Sequence, residues 1–463
     1  MRCITFGFSY LCIPKTHTNL LTRIHSDLYV ETQGFEETQI YQHYHILDES
    51  NEQQIVATPK FYPYFIKFPQ ETIETYYTYG KCEISNQIQF RDEFQEDAYK
   101  KLQTIDAGIL KAYPGFGKTV VAIKYFTDLN LKALIVVHKE ILAQQWKNEL
   151  LKFTNLNEDE ILILFGSSKL KQLTPNTKVI IASIQTLSSL AKKSLLPTEN
   201  PAFKKILEFS PGITIVDEVH KTIGSNEFSK ASMFFVSKKI LGLSATPRKQ
   251  HPKLTNILKY YFDRYIIEPA GSPISITCKI FKFENAIPDK TYKYITYGNK
   301  FNYIRYYKML YKKDSKFEQL FKNTIKALLG RKRNLLILNH LIKNLEIIRN
   351  WLLDIGVSKD QIGFLTASIK EYSKPIILST YQMMTDALSI NHLDTLIYST
   401  PFSGNSVTLE QSKGRITRHK NYTNTPLIVD FFDCKYKQIE KLALSRMAEY
   451  SRLGIPYEII EVK

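Results

Sequence analysis

The chain has 463 residues, 44% hydrophobic and 23% charged, a balance ordinary for a soluble globular protein of two or three domains, each with its own core. Its 62 Lys and Arg against 45 Asp and Glu leave a formal charge of +17, which favours a polyanionic partner, nucleic acid first and an anionic membrane surface second. The longest apolar runs, such as Ala133–Val137 and Leu335–Leu338, are strand-sized and exclude a bilayer-spanning helix, which needs about 20 residues.

Met1-Arg2-Cys3-Ile4-Thr5-Phe6 is soon followed by polar residues and shows no signal-peptide core. Residues 1–85 carry short alternating stretches (Leu28–Glu31, Gln54–Ala57) punctuated by Pro59, Pro63 and Pro69, the pattern of a small β-rich accessory domain. Five cysteines, Cys3, Cys12, Cys82, Cys278 and Cys434, lie far apart with no Cys-x-x-Cys pair. That argues for reduced thiols in an intracellular compartment and against a zinc site or a disulfide framework.

Residues 112–119, Ala-Tyr-Pro-Gly-Phe-Gly-Lys-Thr, lie between an apolar run (Ile109, Leu110) and a helix-like stretch from Val120 to Phe126. This is a phosphate-binding loop in a strand–loop–helix setting. Ala112, Tyr113, Pro114, Gly115, Phe116 and Gly117 form the turn, and the two glycines let backbone N–H groups close on phosphate oxygens. Lys118 brings a point charge to the β- and γ-phosphates of ATP, and Thr119 offers a hydroxyl to Mg²⁺.

Mostly apolar runs at Ala133–His138, Lys178–Ala182, Ile213–Asp217 and Ile240–Leu243 read as buried parallel strands, with helical segments such as Glu140–Phe153 between them. Asp217-Glu218-Val219-His220 closes one of these strands. A carboxylate at a parallel strand's end shares the crevice of the phosphate loop. Asp217 then holds Mg²⁺ and Glu218 polarises the attacking water as general base. Neighbouring strand residues face opposite ways, so a turn after the strand has to aim both at one site. Ser244-Ala245-Thr246 follows the next strand, with hydroxyls placed to report nucleotide state through the His220 loop.

A connection from about Glu268 to Arg333 opens on the hinge-like Pro269–Pro273. It carries a basic, Tyr-rich stretch that includes Tyr303, Arg305, Tyr306, Tyr307, Lys308 and Tyr311. Such a stretch either stacks on bases along a phosphate backbone or forms a solvated helix with Tyr packed beneath, and the second is favoured. A second alternating block follows: Asn334–Leu338, Gln361–Leu365, Pro375–Ser379, Thr395–Ser399 and Pro426–Asp430. Two αβ blocks in series imply two doubly wound domains with a cleft between them. No internal repeat is visible in the sequence. On a helix, Gln411, Arg415 and Arg418 share one face, suited to sensing a γ-phosphate and neutralising its transition state.

These residues resemble the superfamily 2 nucleic-acid-dependent ATPases over roughly residues 85–450. The subgroup they resemble contains XPB, phage UvsW and the transcript-release helicases of poxviruses and other large DNA viruses. Phe94-Gln95 is similar to the family's adenine-reading glutamine motif. Val136-Val137-His138-Lys139, with Leu142, Gln145 and Trp146, resembles a loop that meets the nucleic-acid backbone. Ser183-Ile184-Gln185-Thr186-Leu187 resembles the next such contact, and Ser379-Thr380-Tyr381 opens a further motif. The resemblance thus implies nucleic-acid contacts at His138, Lys139, Gln185, Thr186 and Thr380.

It also implies an α/β fold of two tandem RecA-like domains, at 86–268 and 334–463, with 269–333 as linker and start of the second. The implied activity is ATP hydrolysis with Mg²⁺ by a monomer moving 3′→5′ on DNA, in host cytoplasm or virion, without membrane association. RNA polymerase or transcription-termination factors are the implied protein partners. Asp92, with Arg91 beside it, stands where the family usually has an arginine before the motif's glutamine, and Ala387 and Ser389 stand where Gly and Asp are frequent. No Arg-Glu-Asp element follows Thr246, which favours the viral or UvsW side over XPB.

Competing readings are an RNA helicase, an ATP-switched clamp, a restriction-type motor–nuclease and an assembly or transport ATPase. Glu218 and Arg418 argue against the clamp. Residues 419–463 are too few for a nuclease domain, and an assembly or transport ATPase would not carry the second-domain arginine helix.

Overall fold

The computed structural model describes every residue except 34–37, 50–51, 114, 220–225, 246, 248–251, 270–274, 286–293, 298–299, 367, 370, 386–391, 405–408, 410–411, 415, 417–423 and 463. The chain divides into two compact units, Met1–Gly271 and Ser272–Lys463.

The first unit is built on a seven-stranded sheet. From edge to edge its strands are Ile161–Leu164, Val179–Ser183, Ala133–Val137, Ile213–Asp217, Lys239–Ser244, Ala107–Lys111 and Ile266–Ile267. Every pairing is parallel. The central runs are apolar throughout because helices cover both faces, leaving no solvent side for polar residues. Ala133–Val137 and Val179–Ser183 are buried at all five positions.

A second, mostly antiparallel sheet precedes it: His45–Glu49, Gln53–Pro59, Phe8–Pro14, Arg2–Thr5 and Ile73–Thr75, in that spatial order. This N-terminal sheet shares one continuous apolar core with the parallel sheet, running from Cys3, Phe8 and Leu11 to Phe234, Ile257 and Phe262. Backbone meets backbone at the seam, where a Cβ on Gly7 would lie 1.8 Å from the Met233 carbonyl oxygen. Two histidines fasten the same seam: His43 Nδ1 lies 2.9 Å from Tyr261 Oη and His45 Nε2 lies 3.2 Å from Ser229 Oγ. Burial lowers both imidazoles, to about 3 and about 4. The β-rich segment is therefore part of the first unit's core.

The second unit holds another seven-stranded, all-parallel sheet. Its order is Ile362–Leu365, Ile376–Thr380, Leu335–Asn339, Thr395–Tyr398, Leu427–Asp433, Thr277–Phe283 and Tyr457–Glu461. Numbered by chain position, both sheets read 3-4-2-5-6-1-7. The two units thus repeat one topology that the sequence does not display. Thr277–Phe283, inside the segment read from sequence as a connection, is the first strand of this second sheet and pairs with the sixth and seventh.

The Tyr-rich stretch forms the helix Tyr303–Leu310. Tyr306, Tyr307 and Tyr311 are buried, with hydroxyls donating to Asp433 Oδ2, the Pro401 carbonyl and the Ser399 carbonyl. The packing reading of these tyrosines holds, and base stacking by Tyr306 is ruled out by its full burial. No helix among the described residues is long and apolar enough to cross a membrane, and all five cysteines are free thiols.

Candidate nucleotide site

The phosphate loop sits at the carboxyl end of Ala107–Lys111. Its first residue is tied to the neighbouring strand, Ala112 N–H donating to the Ser244 carbonyl at 3.1 Å. The Phe116 ring is fully buried and packs edge-on to Tyr113, with centroids 5.5 Å apart. Gly115 and Gly117 have φ of 84° and 90°, the left-handed region that side chains disfavour. At Gly117 a second reason applies, since an added Cβ would lie 2.5 Å from Gln95 Nε2.

Gly117 then starts the helix Lys118–Asp128 without a side-chain cap. Its first-turn N–H groups and the positive end of the helix dipole face the loop, as anion binding requires. Lys118 Nζ donates to the carbonyls of Ala112 at 3.0 Å and Tyr113 at 3.5 Å, which holds the ammonium inside the turn.

Arg91, Asp92 and Gln95 clamp this loop from behind. Asp92 caps the helix Glu93–Gln103 by accepting from Gln95 N–H at 3.0 Å. Arg91 pairs with Asp92 at 2.8 Å and donates to the Gly115 carbonyl at 2.9 Å. Gln95 is buried; its Nε2 donates to the Phe116 carbonyl at 2.6 Å and its Oε1 accepts from Arg91 N–H at 2.8 Å. Both ends of the amide are taken by backbone groups, Nε2 by the loop's Phe116 carbonyl and Oε1 by the Arg91 N–H, so an adenine contact by Gln95 would have to replace one of these bonds. Arg91, beside the capping Asp92, thus acts directly on the loop.

Asp217 ends its strand, and the next residue takes φ of 51°. This left-handed step at Glu218, uncommon outside glycine, is the turn that a shared aim for both carboxyls demands. Glu218 N–H donates to Asp217 Oδ1 at 2.9 Å, and the Trp146 indole N–H donates to Asp217 Oδ2 at 2.9 Å. Burial pushes the Asp217 carboxyl well above the usual carboxylate range, and the charge of Glu218 raises it further. The Trp146 bond and the charge of Lys118 pull it back, so the phosphate-loop lysine and the acidic pair share one electrostatic site.

Two adjacent carboxyls, one destabilised by burial, suit a divalent cation that cancels their charge, and the oxygen donors suit Mg²⁺. Asp217 and the half-buried Thr119 would hold it. Trp146 was legible as part of a motif, yet its bond to Asp217 spans 71 residues of sequence and has no local signal.

His138 and Lys139 follow the strand Ala133–Val137, with Lys139 exposed at the start of Glu140–Phe153. Gln185 is exposed at the start of Ile184–Ala191. Thr186 is buried, and its hydroxyl accepts from Ser183 Oγ at 2.7 Å and Gly166 N–H at 2.9 Å. Ser244 is fully buried. His220 and Thr246 lie outside the described residues, as does Pro114.

In the second unit, Thr380 ends its strand. Gln411, Arg415 and Arg418 lie outside the described residues. Their described neighbours Leu409, Ser412 and Ile416 are fully buried, and Ser412 Oγ lies 2.7 Å from Tyr398 Oη.

Residues 83–249 match the model of the family described as type III restriction enzyme, res subunit. An ATP-dependent RNA helicase, so named, of Acanthamoeba polyphaga mimivirus is 25% identical over 358 residues, 75% of this chain and 64% of that protein. The transcript termination protein A18 of Yaba-like disease virus is 26% identical over 351 residues, 71% of this chain and 68% of its own length. Along most of its length the chain is thus similar to superfamily 2 helicases of large DNA viruses.

Among solved structures, yeast Dbp5 bound to RNA and ADP BeF3 superposes with a TM-score of 0.50 at 13% identity, covering 80% of this chain and 89% of that one. At that identity the likeness bears on the fold alone. It agrees with two tandem RecA-like α/β units in this chain, which spans just under two thirds of its mimivirus relative.

Proposed function

We propose that the protein is a nucleic-acid-dependent ATPase that works as a helicase or translocase. The observation that carries this reading is the pairing, inside one α/β unit, of a glycine-shaped phosphate loop with the Asp217–Glu218 pair that Lys118 acts upon. In the proposed reaction the loop's N–H groups and Lys118 bind the β- and γ-phosphates. Glu218 takes a proton from water as its oxygen attacks the γ-phosphorus, and the bond to the ADP oxygen breaks. Mg²⁺, held by Thr119 and Asp217, would neutralise the phosphate oxygens. Gln411, Arg415 and Arg418 of the second unit are assigned to the charge that develops on the transferring phosphoryl.

The track is proposed to be DNA, travelled 3′→5′, gripped through phosphates by a +17 chain at His138, Lys139, Gln185 and Thr380. Thr186 would join them through its backbone, its hydroxyl being engaged internally. Displacing a transcript, alone or with RNA polymerase and termination factors, suits the role named for the Yaba-like disease virus relative. An RNA track is the second reading, favoured by the name of the mimivirus relative. Steady-state ATPase measured without and with single-stranded DNA, RNA or duplex tests the class, and no stimulation by any of them refutes it. Strand displacement on tailed DNA·DNA, RNA·DNA and RNA·RNA duplexes then separates the tracks.

A further inference from the structure

At the amino-terminal edge of the first parallel sheet, the segment after Ile73–Thr75 runs across the strand ends. Thr78 bridges Ser237 in parallel register, with Thr78 N–H donating to the Val236 carbonyl at 2.9 Å and Lys238 N–H to the Thr78 carbonyl at 2.8 Å. Thr78 points inward and is buried, its hydroxyl bonded to the Pro211 carbonyl. Alternation along an extended segment then turns Tyr77 and Tyr79 outward together, roughly 6.6 Å apart along the chain. They are 52% and 38% exposed.

Lys238 Nζ lies 5.8 Å and 5.5 Å from the two ring centroids, and Lys81 Nζ lies 5.9 Å from that of Tyr79. Lys132, two strand positions away, lies over Phe209 at 5.4 Å. Among the described residues neither Lys81 nor Lys132 pairs with a carboxylate, and Lys238 meets Asp106 only at 3.8 Å. Two other lysines of this edge are matched internally, Lys178 by Glu160 and Lys239 by Asp106.

We propose that Tyr77, Tyr79, Lys81, Lys132 and Lys238 form a second site for single-stranded nucleic acid, separate from the nucleotide edge of the same sheet. Stacking needs an exposed π-face, and sequence-independent affinity needs cations beside it that no carboxylate holds closely; the two alternate here over a few ångströms. Strands of about five residues separate this edge from Asp217 and the phosphate loop by roughly 16 Å. A strand engaged here therefore cannot be the one in contact with the nucleotide's loops at the same few positions. The site would take roughly two to three nucleotides of a long strand, holding a tail while the motor edge works. The inference rests on the nucleic-acid reading proposed above.

The test is fluorescence anisotropy of labelled oligo(dT) with the full chain, at lengths of about 8 and 30 nucleotides, for the parent and for Tyr77→Ala/Tyr79→Ala. Stacking contributes on the order of 1–3 kcal/mol per base. The double variant is expected to bind the long strand roughly 30-fold or more weakly, with short-strand affinity, basal ATPase and melting temperature as in the parent. Tyr77→Phe/Tyr79→Phe should retain binding, since the ring and not the hydroxyl stacks. Lys81→Ala/Lys132→Ala should flatten the salt dependence by about 1.4 in log–log slope.

Parental affinity of the alanine pair at both lengths would overturn the proposal. So would unchanged oligonucleotide binding together with lost binding of poly-glutamate, which would assign the surface to an acidic protein. If the parent bound no oligonucleotide, the motor reading itself would fail, a result distinct from an unmoved variant.

Discussion

Trp146→Phe isolates one bond to the carboxyl proposed to hold Mg²⁺. The indole N–H is 2.9 Å from Asp217 Oδ2, and Trp146 is only 2% exposed. Phenylalanine keeps most of the apolar contact and deletes the donor. A hydrogen bond to a charged acceptor contributes about 1.5–3 kcal/mol, and here it favours the ionised carboxyl against burial and against the charge of Glu218.

Removing a cause that lowers the Asp217 proton affinity moves that affinity further up. Metal binding then competes with protonation over a wider pH range. At about 1.4 kcal/mol per tenfold, the Mg²⁺ half-saturation of ATP turnover should rise roughly 10- to 100-fold near neutral pH. The acid limb of the rate profile should move to higher pH, and turnover at saturating Mg²⁺ should recover substantially. The smaller ring also leaves a void that costs about 1–3 kcal/mol of stability, read separately as a lower melting temperature. A lowered melting temperature with unchanged Mg²⁺ dependence and unchanged pH profile would refute the argument and leave Trp146 as packing alone.

Further outcomes follow from other residues. Glu218→Gln should leave ATP bound while turnover falls by roughly 10²–10⁴-fold, as expected for a lost general base; turnover at the parent rate in a quench-flow assay would remove that role. Arg418→Ala should depress turnover and spare nucleotide affinity, and equal loss of both would reassign it to ground-state binding.

Lys60 is buried with its ammonium on the Ser237 carbonyl at 2.9 Å, and burial lowers it to about 7. A depressed lysine contributes stability above its unfolded value, lost progressively as pH falls toward about 7. Lys60→Met should therefore stabilise the protein by a few kcal/mol at pH 6–7, the gain shrinking toward pH 10 in denaturant titrations. Tyr306→Phe leaves the buried Asp433 carboxyl without the hydroxyl at 2.9 Å. It should cost about 1–3 kcal/mol of stability with no change in strand affinity by anisotropy.

Local chemistry made the centre of this protein readable from the chain. Gly115, Gly117 and Lys118 sit at a spacing that serves phosphate and little else, and the positive φ of both glycines is the conformation that glycine permits. Buried parallel strands announce themselves because both their faces are apolar, so Ala133–Val137 and Ile213–Asp217 needed no tertiary information. Where a strand is half covered or at an edge the signal fails. Thr277–Phe283 interleaves lysines with apolar residues and reads as connection, and Tyr457–Glu461, mostly exposed, does not stand out as a strand.

Only the folded chain decided what those segments and several polar side chains do. The common 3-4-2-5-6-1-7 order of the two sheets is a property of pairing, which different sequences satisfy equally well. Whether Tyr306 met a base or a core depended on what lay opposite it, and Asp433, 127 residues further on, does. Gln95 closes on the phosphate loop and Trp146 on Asp217 by the same kind of long-range approach. The sequence by itself pointed to the atoms proposed to bind phosphate, because that chemistry is carried by eight consecutive residues. Tertiary structure decided how the surrounding groups are aimed and charged, because desolvation and hydrogen bonding depend on neighbours that the chain brings together only by folding.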